Sequence, residues 1–387
     1  MTSAVALFGP HNLANLPWPA TPAGDYARRY LLPLLEDGPQ PYITNIHTDL
    51  RLLKIDDVIL PITITRSHPQ NSYVCSPYNH YFAYGPEEFS KLNHRPLEFL
   101  LRLLLWPVFR AYRATNFDRA VLVNNWLLST NLYPAITPAQ TQAALTFLTA
   151  QFPNRPIIFR SIDALGNPQL AQALPTQGCE LVFSRQVYYQ DARTPALLHK
   201  KQVKIDLAKY HRSPYRLVSA AELSPADAPR LAHLYRLLYL DKYSHFNPQF
   251  TPEFFKLALQ NQLLVLKAFR AAETGQKSGD IHAVLGYFKR NGIMTQPVFG
   301  YDTGLPQSLG LYRLLSTQVL LDGLEQRQLI NCSAGVGQFK RLRGGQPALE
   351  YNAVYLRHLP WRQQQPWLRL KQLLAGVAVP IIQKYGF

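Results

Sequence analysis

The stretch from Met294 to Lys340 constrains the fold more than any other. It reads as a strand, a glycine-punctuated turn, an amphipathic helix, a second strand and a loop ending in Phe339-Lys340. Leu311, Leu314, Leu315, Leu321 and Leu324 recur at helical spacing and share one face. Pro297 removes a ladder donor from the strand before them, so that strand is expected to bulge or splay. The turn from Gly304 to Gly310 opens the helix. A helix start presents unpaired N–H groups and a positive dipole end, which suits an anion such as a pyrophosphate. An ordinary strand-helix-strand unit with turn glycines would carry the same pattern.

The rest of the chain alternates in a similar way. Two β-rich runs flank Asp56-Asp57 as a hairpin, and residues 71–84 form a tyrosine-rich third strand interrupted by proline. Helices are expected at 27–35, 97–113, 137–151, 168–174, 200–210, 225–243, 252–260 and 311–326. Strands are expected at 117–127, 156–162, 179–189, 215–218, 263–269, 282–290, 293–301, 328–332 and 352–357, before a closing helix from about Trp361. Asn291-Gly292 is a hairpin turn. Each half therefore offers antiparallel strands, a long helix, a strand, and further helix and strand.

A length of 387 residues with 47% hydrophobic and 17% charged residues suits two well-packed domains and not a disordered chain. The formal charge of +16 suits an anionic partner: a phosphorylated cofactor, RNA or an acidic membrane surface. Cys75, Cys179 and Cys332 are too widely spaced for a disulfide framework or a paired-cysteine zinc site, so a cytoplasmic setting is expected. The start of the chain lacks a signal-peptide pattern, and no clean apolar run of membrane-spanning length occurs. Stable membrane insertion is not expected, and the last helix is expected to pack on its own domain.

The order strand, splayed strand, glycine turn, helix, strand resembles the acyltransferase fold of the GNAT superfamily. Residues 301–347 resemble its FemAB-like branch, in which two such folds occur in tandem. Ser308-Leu309-Gly310-Leu311 stands at the turn that opens the long helix. Gly335-Val336-Gly337-Gln338-Phe339-Lys340 stands at the later glycine loop with its aromatic-lysine pair, and Gly344 to Pro347 follows. The resemblance implies an α/β (α+β) protein of two tandem GNAT-like domains, each a mixed, mostly antiparallel sheet with flanking helices. It implies an N-terminal domain, 1–195, that contributes an acceptor cleft and is itself degenerate. The catalytic domain would be 196–387. The GNAT turn is usually Gln/Arg-x-x-Gly-x-Gly/Ala, whereas Gln307-Ser308-Leu309-Gly310-Leu311-Tyr312 ends in a bulky residue. The donor is therefore left open between acyl-CoA, aminoacyl-tRNA and acyl carrier protein, with no metal required.

N-acyl transfer needs a polarised donor carbonyl, a neutral amine and a protonated leaving group. Backbone N–H groups of Val298, Phe299 and Gly300 on the splayed strand are candidates for the oxyanion. Gln307, Ser308, Leu309 and Gly310 would hold phosphate, with Phe339 beside the donor. Lys340 is expected to stabilise negative charge on donor or oxyanion, against a reading as a solvated cation beside Arg341 and Arg343. Tyr312 is a candidate acid, and Asp302 a candidate base or a turn cap. His282 and His245 are candidate bases, and Cys332 is better read as a small buried residue. Tyr78, His80, Tyr81, Tyr243 and His245 are candidates for the pocket of a small-molecule or peptide amine.

The basic run from His199 to Arg216 carries Lys200, Lys201, Lys204, Lys209, Arg212 and Arg216 with Tyr210 and Tyr215 interleaved. It leaves a second reading open: a non-catalytic RNA-binding or scaffold protein on a degenerate GNAT fold. Phosphate-loop, dinucleotide, metal-spacing and Gly-x-Ser-x-Gly patterns are absent from the sequence.

Overall fold

The turn at Asp56-Asp57, with Asp56 in the left-handed region at φ 50°, closes the first hairpin. The computed structural model describes residues 3–84, 107–271 and 279–385. Strands β1 (Val5–Phe8), β2 (Thr48–Ile55) and β3 (Val58–Thr65) run antiparallel, followed by β4 (Val121–Val123), β5 (Ile157–Ile162) and β6 (Cys179–Asp191). The second half contributes β7 (Arg216–Ser219), β8 (Val265–Arg270), β9 (Ile281–Arg290), β10 (Ile293–Tyr301), β11 (Leu329–Asn331) and β12 (Gln346–Tyr355).

All twelve described strands join one sheet in the order β1-β2-β3-β4-β5-β12-β6-β11-β10-β9-β8-β7. That order reads the same from either edge if β6 is exchanged with β12. Four strands run antiparallel at each edge. Next come parallel pairs, β4 with β5 and β10 with β11, and both inner neighbours are again antiparallel. The last strand of each half is inserted into the other half: β12 pairs with β5, and β6 pairs with β11. The sheet is mixed and mostly antiparallel, flanked by helices.

Helices α1 (Pro22–Glu36), α2 (Pro138–Gln151), α3 (Pro168–Thr176) and α4 (Lys201–His211) precede β7. After it come α5 (Ala228–Tyr239), α6 (Pro252–Gln260), α7 (Leu311–Glu325), α8 (Gly337–Arg341), α9 (Trp361–Leu373) and α10 (Val379–Tyr385). Local chemistry explains their starts. Thr137 makes a capping box with Gln140 and is followed by proline, and Thr21 and Thr251 also cap their helices. Helix α7 follows β10 as α2 follows β4, so the two long helices occupy matching places.

Residues 71–84 are not a strand. They form turns and a π-helical segment, Asn79–Tyr84. Side chains take over the bonds that a ladder would have made. Asn79 Nδ2 donates to the Asn71 carbonyl at 2.7 Å, Asn125 Nδ2 to that of Val74 at 2.9 Å, and Asp118 Oδ1 accepts from the Tyr78 amide at 2.7 Å. The strand expected at 117–127 is short, and β12 begins at Gln346. Residues 107–114 are helical; the rest of the helix expected at 97–113 lies outside the described residues.

Candidate functional site

The parallel pair β10–β11 begins as an ordinary ladder and then opens. Ile293, Met294 and Thr295 lie beside Leu329, Ile330 and Asn331, and the pairing ends there. A bulge falls at Gln296-Pro297, where the register of β10 against β9 shifts between Thr295 and Val298. This is the disruption Pro297 predicts. Beyond it, the Asp302 amide bonds to the His282 carbonyl at 2.8 Å. By antiparallel alternation, Gly300 and Val298 also turn their amides towards β9. The amides of Phe299 and Tyr301 therefore face the gap left where β11 has ended. Gly300 serves the packing of α5 instead. An added Cβ would stand 2.6 Å from the Leu234 carbonyl carbon and the Tyr235 nitrogen, so only glycine lets the helix approach here.

A narrow cavity of about 20 Å³ occupies this gap, room for about one water. Gln190 of β6, Gln296 and Phe299 of β10, and Cys332 line its floor. Tyr312, Ser316 and Val319 of α7 and Phe339, Lys340 and Arg343 close it. Four predicted site residues thus meet in one place: Phe299, Tyr312, Phe339 and Lys340. The Tyr312 ring stands edge to face against Phe339 at 5.0 Å, Phe299 at 5.8 Å and Tyr301 at 6.3 Å. Burial, reinforced by neighbouring Tyr243 and Tyr239, pushes the Tyr312 phenol far up, so it stays protonated. Gln296 Oε1 is buried without a hydrogen-bond partner among the described residues. The Cys332 thiol donates to Gln190 Oε1 at 3.4 Å; burial raises its pKa while the Lys340 charge opposes the rise.

Lys340 is not a solvated cation. It is 7% exposed, and its Nζ donates to the carbonyls of Cys332 (2.6 Å), Ser333 (3.0 Å) and Ala334 (2.8 Å). The loop it gathers is strained: Ser333, Gly335 and Val336 have φ of 58°, 78° and 44°. A β-branched residue at positive φ is a genuine outlier and persists only where its surroundings over-determine it. Three ammonium bonds on consecutive carbonyls supply that. Burial lowers the Lys340 pKa to about 8; Cys332 opposes the shift and the Arg185 charge adds to it. Arg343 locks the same corner, with Nε donating to Asp206 Oδ2 at 2.5 Å and its guanidinium 3.3 Å above the Phe339 ring centre.

At the turn before α7, Gln307–Leu309 make a 3-10 turn and Gly310 takes φ 67°. The amides of Leu309 and Gly310 are spent on Pro306 and Gln307. Lys209 of α4 lies across the turn, donating to the Ser308 carbonyl at 2.5 Å, and a Cβ on Gly310 would meet its Cε at 2.4 Å. The turn therefore carries its own cation. In the sequence Lys209 is one lysine of a basic run, and no local motif links it to residue 310.

Other candidates lie elsewhere. Asp302 is paired with Arg230 at 2.8 Å and accepts from the Gly304 amide at 3.0 Å; the Arg230 bond holds its carboxyl below the usual range. It is a turn cap, not a free base. His282 shares a hydrogen bond with the Tyr215 hydroxyl through Nδ1 at 2.9 Å and does not line the cavity. His245 is exposed, and Tyr243 lies against Tyr239 at 6.3 Å between ring centres.

Tyr78, His80 and Tyr81 belong to the first half. The Tyr78 hydroxyl donates to the Phe109 carbonyl at 3.2 Å, and the Tyr81 hydroxyl accepts from Asn352 at 2.8 Å. His80 Nε2 pairs with Ser184 Oγ at 3.1 Å; burial, with Arg160 and Arg185 nearby, lowers its pKa to about 3. This charged cluster is not visible in the sequence. Arg185 bridges Glu350 at 2.8 Å across β6 and β12, and Arg160 projects from the β5 bulge beside Ser161, which has φ 59°. Among the described residues, no group of three or more His, Cys, Asp or Glu is placed to hold a metal ion.

No protein-family model and no curated protein matches the chain. Solved structures do. FemX aligns over 89% of this chain and 92% of its own, at 6% identity and a TM-score of 0.50. A tandem GNAT protein from the clavulanic acid biosynthesis pathway aligns over 91% and 98%, at 9% identity and a TM-score of 0.40. L-PGS from Bacillus licheniformis aligns over 60% and 78%, at 14% identity and a TM-score of 0.44. The fold is like that of FemX.

Proposed function

We propose that the protein is an N-acyltransferase that moves an acyl or aminoacyl group from a thioester or ester to an amine. The observation that carries this reading is the opening of β10 from β11, which turns the Phe299 amide towards the cavity under Tyr312 and the Tyr301 amide to the same side of the strand. The amine attacks the donor carbonyl, and the developing oxyanion takes a hydrogen bond from one of those amides. The C–N bond forms as the C–S or C–O bond breaks. The Tyr312 hydroxyl gives its proton to the leaving thiolate or alkoxide and is restored by the proton lost from the amine. Lys340 acts by holding the 332–334 carbonyls and lending positive potential. The tight cavity admits the carbonyl end of a donor and little more.

In this reading residues 196–387 carry the chemistry and residues 1–195 supply the acceptor cleft. The place corresponding to the α7 turn in the first half supports that division. There the segment after β4 is filled by buried Asn124, Asn125, Trp126, Leu127 and Leu128. A phosphate-bearing donor would meet Lys209 and the first amides of α7 at Gly310. Thermal shift with coenzyme A, acyl-CoA, aminoacyl-tRNA and acyl carrier protein separates the donors, since a ligand that binds only the folded state raises Tm. Salt-dependent RNA binding with no transfer to any amine would favour the RNA-binding reading instead.

A further inference from the structure

Helix α9, a π-helical turn (Leu374–Ala378) and α10 follow one another without a break from Trp361 to Tyr385. The first part is anchored. Trp367 and Leu370 are buried, the Trp367 ring stacks on Phe117 with centroids 4.0 Å apart, and the Tyr112 hydroxyl donates to the Pro366 carbonyl at 3.0 Å. The continuation is held only at its start, where Lys371 pairs with Glu180 at 2.5 Å and Leu374 packs half-buried against the same cluster. Its sequence LLAGVAVPII is apolar on every side, yet no residue from 371 to 383 is buried. Leu373, Val377 and Ile381, spaced by four, are 47%, 51% and 45% exposed, and Trp361 at the helix start is 66% exposed. A helix apolar all round belongs in a core or in lipid. Among the described residues no helix is long and apolar enough to cross a membrane.

The charges that this terminal segment itself carries all have one sign, and one of them, Lys371, is the partner of Glu180 of β6. From Tyr351 to Phe387 there is no Asp or Glu, while Arg357, Arg362, Arg369, Lys371 and Lys384 are basic. Arg369 precedes Leu373 by four residues and so shares the face of the apolar stripe. Near the start of α9 a surface depression of about 320 Å³ is lined by Arg66, Ser67, Asn116, Arg119 and Arg155. Asn116 and Arg119 also line a neighbouring cleft that reaches Gln363, Pro366 and Trp367. Among the described residues none of the three guanidiniums is in an ion pair. Burial and the like charges of Arg119 and Arg66 lower the Arg155 pKa, with Asp49 opposing. Like charges gathered at one depression make a receptor for an oxyanion.

We propose that this face docks the protein peripherally on an anionic phospholipid surface. The Leu373–Val377–Ile381 stripe enters the headgroup–acyl boundary, and the arginine depression takes a headgroup phosphate. Charge complementarity selects this occupant. A second copy would bring two basic flanks together over a stripe of three side chains, far short of the roughly 1,000 Å² that a stable interface needs. The inference does not depend on the acyl-transfer reading.

The test is co-sedimentation of the full chain with phosphatidylcholine vesicles, with and without added phosphatidylglycerol. The expected result is pelleting with the anionic vesicles, relieved by salt, and little with the neutral ones. L373E/V377E/I381E should weaken binding at least about tenfold, and so should R66E/R119E. The stripe and Arg66 and Arg119 are exposed, so unchanged circular dichroism and Tm should accompany both losses. Failure of the wild-type chain to pellet, or equal pelleting of both variants, overturns the proposal. So does light scattering that shows a dimer broken by the stripe variant while vesicle binding persists.

Discussion

Lys340 Nζ donates to the Cys332 carbonyl at 2.6 Å, and with that bond the end of β11 is tied to the start of the loop that closes the cavity. The same ammonium takes the next two carbonyls, so one buried cation holds three consecutive residues, among them Ser333 at positive φ, just before Val336, which is also at positive φ.

Lys340→Met keeps most of the side-chain volume and removes the donors. Leaving the three carbonyls short of partners should lower stability by about 1–3 kcal/mol. Urea unfolding measures it, and an unchanged midpoint would mean that the loop holds itself. Hydrogen exchange at residues 333–336 should rise in the same variant.

Tyr312 divides into a ring and a hydroxyl. The ring packs against Phe299, Tyr301 and Phe339, while no hydrogen bond is found for the hydroxyl among the described residues. Tyr312→Phe should therefore stay within about 0.5 kcal/mol of wild type in stability. If the hydroxyl protonates the leaving group, transfer should still fall about 10²–10⁴-fold. Single-turnover rates with a donor of low leaving-group pKa should recover much of the loss. Equal rates for both proteins with an ordinary donor would remove Tyr312 from the chemistry.

Gly300→Ala tests the packing that positions β10. Its Cβ would stand 2.6 Å from the backbone of α5 on the side away from the cavity. Overpacking of this kind costs about 1–3 kcal/mol. A neutral result in thermal unfolding would show that α5 is free to move off the strand.

His80 makes stability depend on acid. Its folded pKa of about 3 lies below the ordinary histidine value of 6.5, through burial first and then the charges of Arg160 and Arg185. Between those two values the unfolded chain binds the proton and the folded chain does not. Stability should fall as pH drops through that window, by about 1.4 kcal/mol per unit where only the unfolded form titrates. His80→Gln removes this contribution, so its stability should fall less steeply from pH 6 to pH 4. Parallel curves for the two proteins would contradict the assignment.

Much of the fold is legible in the sequence because its elements carry local signals. Pro297 marks the bulge, Asn291-Gly292 the β9–β10 turn, and Thr137 with Pro138 the start of α2. Residues 71–84 mislead because tyrosines around a proline look like half a sheet face. Distant Asn125 and Asp118 satisfy that backbone instead, and no local pattern announces them. The site is legible where it is contiguous: Phe299, Tyr312, Phe339 and Lys340 all fall within the stretch from Met294 to Lys340. Gln190 comes from β6 of the other half, and Lys209 from a helix ninety-nine positions before Ser308. Arg160, Arg185 and Glu350 meet only because β12 is inserted between β5 and β6. Strand exchange is a property of pairing, and sequence periodicity does not show which strand lies beside which.

In the proposed mechanism a donor carbonyl enters between β10 and β11. Phe299→Trp fills that gap from its floor and should leave the fold unchanged by circular dichroism. Donor-dependent acylation of an amine, followed by mass spectrometry with acyl-CoA, aminoacyl-tRNA and acyl carrier protein donors, tests the claim most directly. The wild-type chain should transfer from one donor class, and folded Phe299→Trp should lose at least about a hundredfold. Absence of transfer from every donor class, or transfer undiminished in the filled variant, would contradict it.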